Sequence, residues 1–150
     1  LDHDTGFSDF LELSTHEYFK FYPIIIAGDG PLRSLVLGGR YTLTGFVQNT
    51  EPLINSARYV FCTGYQGMLD CFTHNRLVLA TYSNPVKRDY LLLHPMSHNI
   101  IVSDSVNNLI VKLRSQDDLS EYKMVTECCS WAKEQTWENL SKYYKSIWKS

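Results

Sequence analysis

Short apolar runs alternate with segments of helical periodicity along the chain. The runs at 24–28, 58–63 and 77–81 are bounded by turn residues, which is typical of strands. The run at 24–28 has no polar alternation, and this predicts a strand buried on both faces of a parallel sheet. Residues 41–47 and 98–104 complete a set of five predicted strands.

Helical spacing fills the segments between these strands. The predicted helices are 6–21, 49–57, 65–75, a short helix within 83–94, 106–115, and a helical region from 117 to 149 that breaks near Gln135 and Thr136. A glycine-rich turn with one or two helical turns is predicted after residue 28. Strands that alternate with helices imply βαβ units. We therefore predict an α/β fold: a Rossmann-like parallel sheet with helices on both faces and central strands near 24–27, 59–62 and 77–80.

The C-terminal helical region carries aromatic side chains at helical spacing. They are Trp131, Trp137, Tyr144 and Trp148. Aromatic residues with this spacing are typical of a helix face that packs on a core. We expect two C-terminal helices that pack on the domain through these four side chains.

Length and charge restrict the function. The 150 residues are enough for one domain, which we expect to be a fragment of a longer chain. A net charge of −2 argues against a nucleic-acid partner, because neutralising phosphates requires an excess of Lys and Arg. No apolar stretch approaches the roughly 18 residues of a membrane span.

The cysteines and histidines show no catalytic or metal-binding spacing. The four cysteines form no C-x₂-C pair, so we expect reduced, mostly buried thiols of a cytosolic protein. We expect the five histidines to be structural or exposed and predict no metal site. They are His3, His16, His74, His94 and His98.

Three loops follow predicted strands at the carboxyl edge of the sheet, where α/β folds bind ligands. In GDGPLRS (28–34), Gly28 and Gly30 would let the backbone approach an anion, although an ordinary turn explains the same residues. In TGYQG (63–67), exposed N–H groups would suit a phosphate. Asp70 could then hold a ribose or be simply solvated. Lys87 and Arg88 could reach a diphosphate, or pair with Asp89.

The order of these motifs resembles a known family. GDGP (28–31) is followed by YTLTGFV (41–47), by INSARYVFCTGYQGMLDCFTHNRLVLAT (54–81) and by SWAKEQTWENLSKYYKSIW (130–148). The series is similar to the carboxy-terminal, donor-binding domain of retaining glycosyltransferases of the GT-B fold, family-4 type. The resemblance covers nearly the whole chain.

The resemblance implies roles for individual residues. The turn at Gly45, Phe46 and Val47 would hold the nucleotide base through backbone groups. The helix start at Gly64, Tyr65, Gln66 and Gly67 would hold the diphosphate. Asp70 stands where the family has a Glu that binds the ribose, and Gly28, Asp29 and Gly30 would line the donor cleft.

The chain also departs from the family pattern. LDHDTGF (1–7) looks like the family's R-L-D-x-x-K-G run, but Thr5 occupies the Lys position and the Arg would precede Leu1. The first Glu of the family's pair, which meets the donor sugar, has no counterpart. Diphosphate binding would then depend on Arg33, Lys87 or Arg88 as substitutes.

The resemblance implies a hexosyltransferase-like enzyme. It would bind a nucleotide-sugar donor, such as a UDP- or GDP-sugar, and need no cofactor or metal. It would transfer the sugar to a glycan, lipid or protein acceptor held by an N-terminal domain, so the isolated domain would be inactive. We expect a cytoplasmic protein, at most peripherally associated with the inner face of a membrane.

Two alternatives are a non-catalytic Rossmann-like binding module and an unrelated receiver- or flavodoxin-type domain. A receiver would have an acidic cluster at the sheet mouth, where only Asp29 is found.

Overall fold

A computed structural model describes residues 1, 5–37 and 40–148 of the chain. The strands are β1 (Ile24–Ala27), β2 (Tyr41–Gly45), β3 (Tyr59–Phe61), β4 (Leu77–Thr81) and β5 (Ile101–Ser103). The helices are α1 (Phe7–Thr15), α2 (Glu51–Ser56), α3 (Tyr65–Thr73), α4 (Pro85–Leu92), α5 (Val106–Arg114), α6 (Asp118–Glu134) and α7 (Trp137–Trp148). Short 3₁₀ helices span Glu17–Phe19, Pro31–Val36 and Ser97–Asn99.

The α/β fold is confirmed, with parallel strands throughout the described residues. The helix predicted over 6–21 is wrong in its extent, because α1 ends at Thr15 and His16 has an extended backbone. Some predictions fall outside the described residues. They are His3 and positions 2–4 of the LDHDTGF run, Gly38 and Gly39 of the glycine-rich turn, and the end of the last helix at Lys149.

The strands form two parallel sheets. One sheet has the order β3-β4-β5, and the other consists of β1 and β2. All five residues of β4 are buried, because β4 has a strand on each side and helices on each face. The prediction of one sheet with 24–27 and 59–62 as central strands is wrong. Both β1 and β3 are edge strands, because in the described structure β1 pairs only with β2 and β3 pairs only with β4.

Helices cover both faces of the β3-β4-β5 sheet, as predicted. On one face, Phe72 of α3 and Cys128 of α6 pack against Val78 of β4 in one buried cluster. On the other face, Leu109 of α5 and Leu13 of α1 belong to a second cluster. Alternate side chains of a strand point to opposite faces, so the apolar run of β4 supplies both clusters.

The apolar run of β1 is not buried on both faces, contrary to the prediction. Ile26 is buried, but 43% of Ile25 is exposed, and Ala27 is exposed as well. The physical reason is the position of β1 at the edge of a two-stranded sheet. In the described structure, no strand pairs with the edge of β1 that faces away from β2.

The two C-terminal helices differ in their packing. Cys128, Cys129 and Ala132 of α6 are buried, and Trp131 packs against the same cluster as Phe72. Helix α7 contains no buried residue. The expectation for Trp137, Tyr144 and Trp148 is wrong, because Trp137 is 87% and Trp148 79% exposed and Tyr144 is also exposed. Helical spacing identifies an apolar stripe but not the surface that the stripe meets.

No helix in the described part of the chain is both long and apolar enough to cross a membrane.

Candidate functional site

The loops after β1 and β3 each contact a residue at the start of the chain. The amino group of Leu1 donates a hydrogen bond to the carbonyl oxygen of Asp29 at 2.6 Å, and Leu32 N–H donates to the carbonyl of Leu1. Thr63 Oγ1 donates to the carbonyl of Thr5 at 3.0 Å. Residues 1 and 5 of the chain therefore contact the carboxyl ends of β1 and β3 respectively.

The GDG turn is packed closely against Leu1. A Cβ on Gly30 would lie 2.5 Å from the backbone nitrogen and oxygen of Leu1, and Gly30 has a φ of +155°. Gly28, with a φ of +126°, donates from its N–H to the carbonyl of Gly45 at 2.8 Å. Gly30 therefore allows a close approach to the backbone of Leu1, whereas Gly28 is favoured by its positive φ.

Asp29 is engaged within its own turn. Its Oδ1 accepts from Gly30 N–H at 2.8 Å, and its Oδ2 pairs with Arg33 at 2.9 Å. Arg33 is therefore held at the end of β1, and no hydrogen bond joins it to α3 in the described structure.

The start of α3 is exposed. Gly64 is the N-cap, and a Cβ placed there would meet nothing within 4 Å. The first N–H groups of a helix have no partner within the helix, and with the helix dipole they carry about half a positive charge. Among the described residues, no hydrogen-bond acceptor is found for the backbone N–H of Gln66 or Gly67. This end of α3 is suited to an anion.

Tyr65 differs from its two neighbours. Its backbone N–H donates to the hydroxyl oxygen of Tyr90 on α4 at 2.7 Å. Residue spacing does not indicate this contact, because the contact depends on how α4 lies against α3.

Lys87 is brought to the start of α3. Asn84 caps α4 by accepting from Lys87 N–H at 2.8 Å, and the Lys87 Nζ donates to the carbonyl of Thr63 at 2.7 Å. The ammonium also lies 4.9 Å from the ring centre of Tyr90. Arg88, in contrast, pairs with Asp89 at 2.9 Å. Of the three candidate cations, Lys87 is the one beside the predicted phosphate site.

Asp70 lies near the middle of α3 and is half-buried. Its Oδ1 accepts from Gln66 Nε2 at 3.4 Å. Together with Gly67 it lines one end of a cavity of about 550 Å³. The carboxylate therefore has one long hydrogen bond and remains able to accept others.

Gly67 has a packing role that the sequence did not show. A Cβ at this position would lie 2.6 Å from Cys62 Sγ. The glycine therefore allows α3 to approach β3, independently of any ligand.

Phe46 and Val47 follow β2. Phe46 is 86% exposed and Val47 is half-buried, while the φ of Gly45 is +68°. In the described structure no hydrogen bond joins Phe46 or Val47 to α3. The turn is held beside the end of β1 by the pairing of β2 with β1 and by the bond between Gly45 and Gly28.

His94 lies in an aromatic cluster behind the start of α3. Its ring centre is 5.2 Å from that of Trp131 and 5.7 Å from that of Tyr65. Nδ1 accepts from Met96 N–H at 3.0 Å, and Nε2 has no partner among the described residues. Burial lowers the pKa of His94 below its ordinary value. The expectation of a structural histidine fits this burial.

The described residues contain no group of three or more His, Cys, Asp and Glu that could hold a metal ion. The four cysteines are free thiols: Cys62 is half-buried and the other three are buried. Burial raises the pKa of the Cys128 thiol to about 12 and also raises that of Cys62, so both favour the protonated form.

Comparison with known protein families finds no family that matches the chain. No curated protein is significantly similar to it in sequence.

Proposed function

We propose that the chain is the donor-binding domain of a retaining glycosyltransferase. It binds a nucleoside diphosphate sugar at the start of α3. The observation that carries the proposal is the hydrogen bond from the Lys87 ammonium to the carbonyl of Thr63, the residue before the N-cap Gly64. The N–H groups of Gln66 and Gly67 in the first turn of the same helix have no acceptor among the described residues. A positive side chain and a helix start at one place favour a diphosphate.

The chemistry assigned to each residue follows from its groups. Lys87 and the first turn of α3 stabilise the negative charge that develops on the leaving diphosphate, and this stabilisation requires no metal ion. Asp70 accepts hydrogen bonds from the ribose hydroxyls. The base lies towards the Gly45–Val47 turn and the sugar towards the Gly28–Gly30 turn. The acceptor, a glycan, lipid or protein, is held by a further domain.

Donor binding by this domain is weak. The family Lys is replaced by Thr5, and Arg33 and Arg88 each pair with a neighbouring carboxylate. Each hydrogen bond to a charged group contributes about 1.5–3 kcal/mol. A diphosphate held by one ammonium and two or three N–H groups therefore binds less tightly than one held by two further cations.

A binding module without donor chemistry is the second candidate. The bond from Tyr65 N–H to the Tyr90 hydroxyl favours it, because this side chain occupies one of the donors that a phosphate would use.

A thermal-shift titration with UDP, GDP and the corresponding nucleosides tests the proposal. A ligand that binds the native state raises the melting temperature by mass action. We expect the diphosphates to raise it more than the nucleosides, and Lys87→Gln to remove the difference. Arg88→Gln is the matched control, because Arg88 pairs with Asp89 on the same helix. If no diphosphate at millimolar concentration shifts the wild-type chain, the donor-binding proposal is wrong and the second candidate replaces it.

A further inference from the structure

Helix α7 has an apolar face that is exposed in the described structure. Trp137 and Trp148 are exposed by 87% and 79%, and no residue of the helix is buried. The other apolar side chains of the helix, all exposed, are Leu140, Tyr143, Tyr144 and Ile147. At about 100° per residue, the six side chains fall within an arc of about 140°. A stripe of this width on a helix normally contacts an apolar partner.

The charge of the C-terminal segment is opposite to that of the rest of the chain. Residues 137–150 contain three lysines and one glutamate, a net charge of +2. Residues 1–136 contain 11 basic and 15 acidic residues, a net charge of −4. A basic segment on an otherwise acidic chain is suited to an anionic partner.

The lysines of α7 are separated from its apolar face. Lys142 and Lys145 lie on the side of the helix away from the apolar arc. Lys142 pairs with Glu138 at 2.7 Å, which leaves the charges of Lys145 and Lys149 as the excess. Basic amphipathic helices are typical of segments that bind an anionic membrane surface or an acidic groove of a protein.

The aromatic content of the face favours the membrane surface over the groove. Four of the six apolar side chains are tryptophan or tyrosine, and each of these rings carries an N–H or O–H group. In a dry protein groove every such group needs its own hydrogen-bond partner. At a membrane interface, water and lipid headgroups supply the partners, and Trp and Tyr are enriched there for this reason.

The length of α7 fits a helix that lies in the plane of the interface. Its 12 residues extend over about 18 Å, which is shorter than the hydrocarbon core of about 30 Å. Trp137 and Trp148 are the first and last residues of the helix, so they are separated by about 16 Å along its axis. A tryptophan at each end holds both ends of the helix at the interface.

We propose that α7 binds the surface of a bilayer that contains anionic phospholipid. The apolar face enters the boundary between headgroups and acyl chains, and the lysines on the opposite side of the helix attract the negative headgroups. The α/β part of the chain stays outside the bilayer. This inference does not depend on the proposed nucleotide site, because no residue of α7 belongs to that site.

Sedimentation with sucrose-loaded vesicles tests the proposal. The wild-type chain should sediment with vesicles of phosphatidylcholine mixed with phosphatidylglycerol. It should bind at least about tenfold more weakly to vesicles of phosphatidylcholine alone, whose headgroups have no net charge. No sedimentation with the mixed vesicles would overturn the proposal and favour a protein partner for the apolar face.

Truncation of the two tryptophans tests which face binds. Trp137→Ala/Trp148→Ala should weaken binding to the mixed vesicles at least about tenfold. Phe21→Ala/Leu119→Ala is the matched control, because these two side chains are exposed by 89% and 77% and lie outside α7. The control should bind like the wild type. Equal binding by the two double variants would overturn the proposal.

Neutral substitutions test the role of charge. Lys142→Gln/Lys145→Gln should reduce the preference for the mixed vesicles at least about fivefold. Lys123→Gln/Lys133→Gln on α6 is the control, because it removes the same charge and Lys123 also pairs with a glutamate four residues away. An unchanged preference in the α7 variant would contradict the proposal.

Sedimentation equilibrium without lipid tests the remaining occupant, a second copy of the chain. If the proposal holds, the wild-type chain and Trp137→Ala/Trp148→Ala are both monomeric. A dimer that forms in the wild type and is lost in this variant would mean that the apolar face is an interface between two copies, and the membrane proposal would be wrong.

Discussion

The Tyr90 hydroxyl accepts a hydrogen bond from the backbone N–H of Tyr65 at 2.7 Å. This contact joins α4 to the first residue of α3, and the Lys87 ammonium lies over the same tyrosine ring. The Tyr90 side chain therefore supports the Lys87 ammonium and also accepts from the Tyr65 N–H at the start of α3. A phosphate that uses the Tyr65 N–H must share or displace this hydroxyl.

Replacing Tyr90 with Phe should strengthen diphosphate binding. The ring that supports Lys87 remains, and the N–H of Tyr65 becomes available to the ligand. A net hydrogen bond contributes about 0.5–1.5 kcal/mol, so we expect roughly a twofold to tenfold lower dissociation constant. Calorimetric titration with UDP measures this change. Tyr143→Phe on the exposed face of α7 is the control. Weaker binding by Tyr90→Phe would mean that the hydroxyl itself contacts the ligand.

Substituting Gly67 should destabilise the fold through Cys62. The added Cβ would lie 2.6 Å from Cys62 Sγ, so Gly67→Ala should lower the free energy of unfolding by about 1–3 kcal/mol. Urea denaturation measures the loss.

A double-mutant cycle with Cys62→Ala identifies the cause. Removing the sulfur should reduce the cost of Gly67→Ala by at least about 0.5 kcal/mol. Gly64→Ala is the control for an added methyl group, since its Cβ meets nothing within 4 Å. An unchanged cost of Gly67→Ala in the Cys62→Ala background would show that the contact is not responsible.

Two tryptophans of the C-terminal helices should respond differently to truncation. Trp137 is 87% exposed, so Trp137→Ala should change the free energy of unfolding by less than about 0.5 kcal/mol. Trp131 packs against the buried cluster around Phe72, and Trp131→Ala should cost about 2–4 kcal/mol. Chemical denaturation of both variants measures these values. A large loss for Trp137→Ala would show that α7 packs on the domain in solution.

Acid should destabilise the protein through His94. Burial lowers the pKa of His94 in the folded state, so the unfolded chain, with a histidine pKa near 6.5, binds the proton more tightly. The stabilising contribution is complete above about pH 6.5 and is lost as the pH falls towards the folded-state pKa. Urea denaturation between pH 5 and 8 measures the slope. His94→Gln should flatten it, and His98→Gln, at an exposed position, should not. Equal slopes in all three proteins would exclude His94 as the cause.

The local pattern predicted the elements well, because period and composition determine whether a segment forms a strand or a helix. The run at 77–81 was correctly expected to be a central strand, and β4 is enclosed by neighbours. The IIIA run has the same composition, but β1 lies at an edge and Ile25 is exposed. The composition of a strand indicates the environment to which it is suited. Its actual burial depends on neighbouring elements, which the local sequence pattern does not identify.

The candidate site was predictable only in part, for a similar reason. Asp70 and the start of α3 follow from a strand–turn–helix pattern, and the structure places Lys87 beside the start of that helix. The contacts of Tyr90 with Tyr65 and of Gly67 with Cys62 join elements that are separate in the chain. Such contacts depend on helix orientation, which residue spacing does not encode.

The most direct measurement is a titration of the isotope-labelled chain with UDP and GDP, followed by NMR of the backbone amides. If the start of α3 is the diphosphate site, the largest shifts should be those of Gln66, Gly67 and Lys87, and the matching nucleosides should cause smaller ones. Saturable shifts centred on these amides would support the account. The absence of shifts at millimolar diphosphate, or shifts centred elsewhere in the chain, would contradict it.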